Sequence, residues 1–66
     1  MKITLNGEAC QCEDEVTIQS FIEQQKLSGQ RIAVEVNLEI VPRSQFALHH
    51  LQDGDRVEIV RAIGGG

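Results

Sequence analysis

Sixty-six residues, with six Lys/Arg against ten Asp/Glu, a net charge of −4 and two aromatic side chains, describe one small domain. A chain of this size sits near the lower limit for independent folding, buries about 60% of its unfolded surface, and has little room for an enclosed catalytic pocket. It lacks the basic footprint and stacking residues of a nucleic-acid binder and any apolar run long enough to span a membrane, so function is expected on its surface or at its ends.

The chain opens on Met1-Lys2-Ile3-Thr4-Leu5, whose apolar–polar alternation predicts a half-buried strand. The N-terminus enters this pattern directly, with no signal peptide, and a soluble, cytoplasmic protein is expected. Asn6-Gly7 follows, a strong hairpin signal because both residue types tolerate the positive φ of a type I′ turn. A two-residue loop places Leu5 opposite Glu8, Ile3 opposite Cys10 and Met1 opposite Cys12, so both cysteines face inward. Two cysteines are too few for a disulfide-stapled scaffold. On one strand they lie roughly 6.6 Å apart with parallel Cβ directions, a poor geometry for a bridge.

Glu13-Asp14-Glu15 leads into a short helix predicted over residues 18–26. Thr17 is the expected N-cap, with Val16 and Phe21 as a hydrophobic staple. Ile18, Phe21 and Ile22 share one face at i, i+3, i+4 spacing, Lys26 sits near the end, and Ser28-Gly29 supplies the stop. Ile32, Val34 and Val36 then alternate with polar or small residues as a third strand. Asn37-Leu38-Glu39 reads as a turn into Ile40-Val41, a brief strand cut off by Pro42, which has no N–H to give a ladder. Residues 43–50 are irregular or a single helical turn anchored by Phe46 and Leu48. Asp53-Gly54-Asp55 turns the chain into a last strand over residues 56–62.

The order β-β-α-β-β-β predicts an α+β layer, a mixed sheet of four to five strands curled over one helix. Its inward set is Ile3, Leu5, Ile18, Phe21, Ile22, Ile32, Val34, Phe46, Leu51, Val57 and Ile59. That phase turns Glu58, Val60 and Ala62 outward. With Ile63, Val60 and Ala62 make an apolar docking patch, expected at an exposed edge of the sheet. Residues 1–62 form the domain and residues 63–66 a flexible tail.

The tail ends Gly64-Gly65-Gly66. Without Cβ atoms it is free to take positive φ or lie flat in a narrow channel. It reaches roughly 13 to 14 Å beyond Ala62 when extended. A carboxylate on glycine is the least hindered acyl group a protein offers, so a partner enzyme could thread it into its own active site. A frayed, idle terminus is the plainer alternative.

Four features carry a family resemblance: the hairpin around Asn6-Gly7, the Ile40-Val41-Pro42-Arg43 segment with Phe46 three residues on, the Asp53-Gly54-Asp55 turn into the last strand, and the Gly65-Gly66 end. Together they span the chain, which resembles the ThiS family, the ubiquitin-like β-grasp sulfur carriers of thiamine biosynthesis. It departs in Phe46, often Trp in the family, and in Gly64, where Ala is common. The resemblance implies a protein co-substrate rather than an enzyme. A ThiF-type adenylyltransferase would use ATP to adenylate the Gly66 carboxylate, with Gly65 beside it. Sulfur from a donor such as a cysteine desulfurase would then convert it to a thiocarboxylate for a ThiG-type thiazole synthase. The carrier itself would bind no cofactor and would be monomeric when free, with Val60, Ala62, Ile63, Gly64 and Arg43 as partner contacts. Arg43 otherwise pairs with a local carboxylate. The same fold also serves molybdopterin or cysteine synthesis, and a lysine-conjugated modifier or a plain binding module would share the elements.

Cys10, Cys12, His49 and His50 invite a zinc reading, but their spacing fits no standard knuckle. Inward cysteines behave as small hydrophobes with a raised pKa and little thiolate, and the two histidines are expected as a solvated loop pair. No metal site is predicted.

Overall fold

Asn6 and Gly7 both take left-handed backbone, with φ of 50° and 86°, the twist that closes a two-residue hairpin without splaying its strands. β1 (Lys2–Leu5) and β2 (Glu8–Gln11) pair antiparallel across it, with Leu5 opposite Glu8 and Ile3 opposite Cys10. Met1 and Cys12 extend the pair as expected. The Cys12 N–H donates to the Met1 carbonyl at 3.0 Å, and the Met1 ammonium donates to the Cys12 carbonyl at 2.7 Å.

The computed structural model describes residues 1–61. After the hairpin come α1 (Ile18–Gln24), β3 (Ile32–Val36), β4 (Glu39–Val41), a 3₁₀ turn (Arg43–Gln45) and β5 (Arg56–Arg61). Thr17 is extended and its hydroxyl accepts the Ser20 N–H at 3.1 Å, while the stapling pair Val16 and Phe21 are both buried. The helix is shorter than the predicted 18–26. Lys26 takes φ 60°, its N–H donates to the Glu23 carbonyl, and the Leu27 N–H reaches back to the Ile22 carbonyl, each at 3.0 Å. This is a Schellman stop, sealed by Leu27 packing on the core. The left-handed residue that ends the helix is therefore Lys26, and Gly29 belongs to the next turn.

The five strands form one mixed sheet in the order β2-β1-β5-β3-β4. β1 and β5 run parallel and the other neighbours antiparallel. The last strand in sequence is thus the middle one in space. α1 lays Ile18, Phe21 and Ile22 on one sheet face, where they meet Ile3, Val34, Val36, Val41, Val57 and Ile59, with Phe46 and Leu51 from the connection to β5. Leu5 and Ile32, predicted inward, are half-buried at strand ends, while Val36 and Val41 join the core. Leu48 is no anchor: it is 68% exposed. In a helical turn residues two apart face opposite sides, so burying Phe46 turns Leu48 to solvent. Among the described residues no helix is long and apolar enough to cross a membrane.

Candidate functional site

The predicted working end of the chain lies just beyond β5, so what fixes β5 fixes the base of the tail. β3 pairs with it along its length, from Val36 opposite Val57 to Ile32 opposite Arg61. On the other flank β1 ends at Leu5, and the Asn6 side chain continues the pairing. Its Oδ1 accepts the Ile59 N–H at 2.9 Å and its Nδ2 donates to the Ile59 carbonyl at 3.2 Å. The sequence marks Asn6 only as a turn former; its contact with Ile59 has no local signal. β5 thus has partners on both flanks as far as Ile59 and on the β3 flank from Val60 to Arg61, which anchors the base of the tail in the sheet.

Val60 is 61% exposed, but the expectation that it sits at an edge of the sheet is wrong. β5 is central, so Val60 lies on the open face away from α1, directly opposite the exposed Ala33. Ile40, 73% exposed, shares that face from β4, next to Glu35, which in turn faces Glu58 across β3 and β5. The apolar area is therefore broader than the sequence implied, because Ala33 meets Val60 only through strand order, while Ile40 stands on the same face beyond Glu35. Ala62, Ile63, Gly64, Gly65 and Gly66 lie outside the described residues, as does the predicted tail 63–66.

Arg43 opens the 3₁₀ turn and its Nη2 donates to the Gln30 carbonyl at 3.3 Å. It takes a backbone partner where a local carboxylate was the sequence alternative. Cys10 and Cys12 are half-buried and pack against the core. Burial pushes the Cys12 thiol above its ordinary pKa, and the neighbouring Cys10, Asp14 and Asp53 push the same way against the opposing N-terminal ammonium. Such a thiol holds little thiolate at neutral pH, which suits neither a sulfur relay nor a metal ligand.

The histidines are more than a solvated pair. His50 places Nδ1 2.7 Å from the Glu15 carbonyl, and the His49 carbonyl accepts the Ile18 N–H at 3.0 Å. Both tie the loop before β5 to the start of α1. Among the described residues no group of three His, Cys, Asp or Glu side chains is placed to hold a metal ion.

The sequence model of the ThiS family matches residues 3–66. The sulfur carrier protein ThiS of Escherichia coli strain K12 is 38% identical over 66 residues, covering 100% of both chains. A thiazole synthase of Paramagnetospirillum magneticum is 41% identical over 66 residues, and there the chain spans only 20% of its relative's length. The crystal structure of the thiamine biosynthesis protein ThiS from Geobacter metallireducens superposes with a TM-score of 0.86 at 29% identity, covering 100% of each chain. The architecture shared with that neighbour, a five-stranded mixed sheet with one helix, is the ubiquitin-like β-grasp. With the sequence match running nearly end to end and the sheet, helix and central last strand all in place, the chain belongs to the ThiS family.

Proposed function

We propose that this chain is a sulfur carrier protein of thiamine biosynthesis, and that its working group is the carboxylate of Gly66 at the end of a tail formed by residues 63–66 on a domain of residues 1–62. The observation that carries the reading is the full-length match to the ThiS family. A strand paired on both flanks as far as Ile59, and leading in sequence to three terminal glycines, supports it.

A carboxylate is a poor electrophile, so the first step is activation by a ThiF-type enzyme. A Gly66 carboxylate oxygen attacks the α-phosphate of ATP, pyrophosphate leaves, and a mixed anhydride forms with AMP as the new leaving group. A persulfide sulfur, drawn from cysteine through a desulfurase, attacks the acyl carbon and expels AMP. A thiol then takes the donor's cysteine sulfur into a disulfide, leaving the thiocarboxylate on Gly66. The thiazole synthase is its recipient, a reading supported by relatives of that name that contain a stretch matching this whole chain. Beyond that carboxylate the carrier contributes no acid, base or nucleophile to these steps, and the exposed Val60 face and Arg43 dock its partners.

Incubation with a ThiF-type enzyme, ATP and a cysteine-fed sulfur donor should raise the intact mass by the difference between sulfur and oxygen, located at Gly66. An unchanged mass would count against the proposal, and a mass increase on a lysine of a second protein would favour a conjugating modifier.

A further inference from the structure

Basic residues are few in this chain, and half of them gather at one place. Arg61 closes β5 opposite Ile32, Arg31 precedes Ile32, and Arg43 is tied to the Gln30 carbonyl. Strand register and one hydrogen bond thus bring three arginines to the C-terminal end of β5. The sequence stretches that carry them, residues 28–33, 42–46 and 59–61, contain no acidic residue. Everything else in the chain carries three cations against ten acids. The molecule is acidic as a whole and basic at the end from which the tail starts.

We propose that Arg31, Arg43 and Arg61 form a collar that docks on acidic side chains bordering the tail channel of the activating enzyme. This inference rests on the sulfur-carrier reading. Oriented charge of this kind steers encounter and raises association rates by roughly 10- to 1,000-fold at low salt. Here it brings the tail end in first, while the acidic remainder repels an acidic partner in any other orientation. Planar guanidinium forks also suit carboxylates geometrically.

The occupant is protein carboxylate rather than nucleotide phosphate. Gly66 must reach the α-phosphate, and it is the fifth residue after Arg61, a span of roughly 17 Å when extended. An extended tail therefore leaves the collar at the mouth of the channel, remote from the nucleotide.

The test is steady-state adenylation of the full chain by a ThiF-type enzyme, read as pyrophosphate release against carrier concentration. The doubly reversed Arg43→Glu/Arg61→Glu variant should raise the KM for carrier about tenfold at low salt with kcat unchanged, and the neutral Arg43→Gln/Arg61→Gln pair should fall between. Raising the salt should weaken the wild type toward the variants. Lys2→Glu makes the same charge reversal as one of these arginines at an exposed position on the other end of the sheet, and its KM should stay close to that of the wild type. Circular dichroism checks that each variant folds. Reversed arginines with a wild-type KM would overturn the collar while leaving the carrier function standing. A rise with Lys2→Glu as large as half that of the double reversal would overturn it too, since net charge alone would then account for the effect. No pyrophosphate release from the wild-type chain would remove both readings together.

Discussion

Asn6 combines two properties that few residues share. It tolerates φ of 50°, and its amide pairs with both backbone groups of Ile59. Alanine at this position loses both hydrogen bonds, each worth about 1 kcal/mol, and bears a left-handed backbone cost of roughly 1 kcal/mol. Asn6→Ala should therefore lower stability by about 2–3 kcal/mol in urea unfolding. Asn6→Gly keeps the turn but not the bonds and should lose about 2 kcal/mol. Equal losses would mean that the backbone conformation contributes nothing; no loss in either would discard the Ile59 contact as a stabilising one. The turn itself was legible in the sequence because Asn-Gly acts through its own φ and ψ. The clamp was not, since its partner lies 53 positions away. Lys26 follows the same rule on a smaller scale: the sequence points to a glycine as the helix stop, and the carbonyls of Ile22 and Glu23 instead fix a lysine in the left-handed region.

At the level of elements, the two hairpins use one turn type with different residues. The β3–β4 turn has Asn37 at φ 52° and Leu38 at φ 71°, and Leu38 is 68% exposed. A leucine there carries the left-handed penalty without burial to offset it. Leu38→Gly should raise stability by about 1 kcal/mol, partly opposed by greater freedom in the unfolded chain, and the urea midpoint reads it directly. A lower midpoint would mean that the Leu38 side chain has a stabilising contact. Periodicity named the five strands and the inward phase of β5, which is local information. Their spatial order is not local: β5 reaches the centre only because β1 and β3 pair on either side of it, and that moved Val60 from an expected edge to the open face. Val60→Asp leaves Val57 and Ile59 in the core, so the protein should fold normally. If that face docks the activating enzyme, the buried, unpaired carboxylate should weaken binding on the order of 3 kcal/mol. A variant that folds and is adenylated at the wild-type rate would exclude Val60 from the interface.

For the whole molecule, fold and reaction are divided between two regions. The sheet pairs β5 and the core packs its Val57 and Ile59, and the proposed chemistry belongs to residues that follow it. This division explains why the family could be read from so short a chain: its fold signals are distributed over every element, and its proposed working group is a terminus rather than a constellation of side chains. It also permits a test that few enzymes allow, in which the reacting group is removed without touching the core. Deleting Gly66 takes away none of the packing or hydrogen bonds among residues 1–61, so thermal unfolding should be unchanged. Thiocarboxylate formation should nevertheless be lost, because the new terminal carboxylate falls one residue, roughly 3.5 Å, short of the α-phosphate. Misplacement by about 1 Å can already cost on the order of 100-fold in rate. Adding one alanine after Gly66 should fail as well: the acyl group overshoots and carries a Cβ into a channel suited to glycine. Wild-type thiocarboxylate yield from the shortened chain would remove Gly66 as the site of the chemistry, whereas loss of both yield and stability would mean that Gly66 packs against the domain.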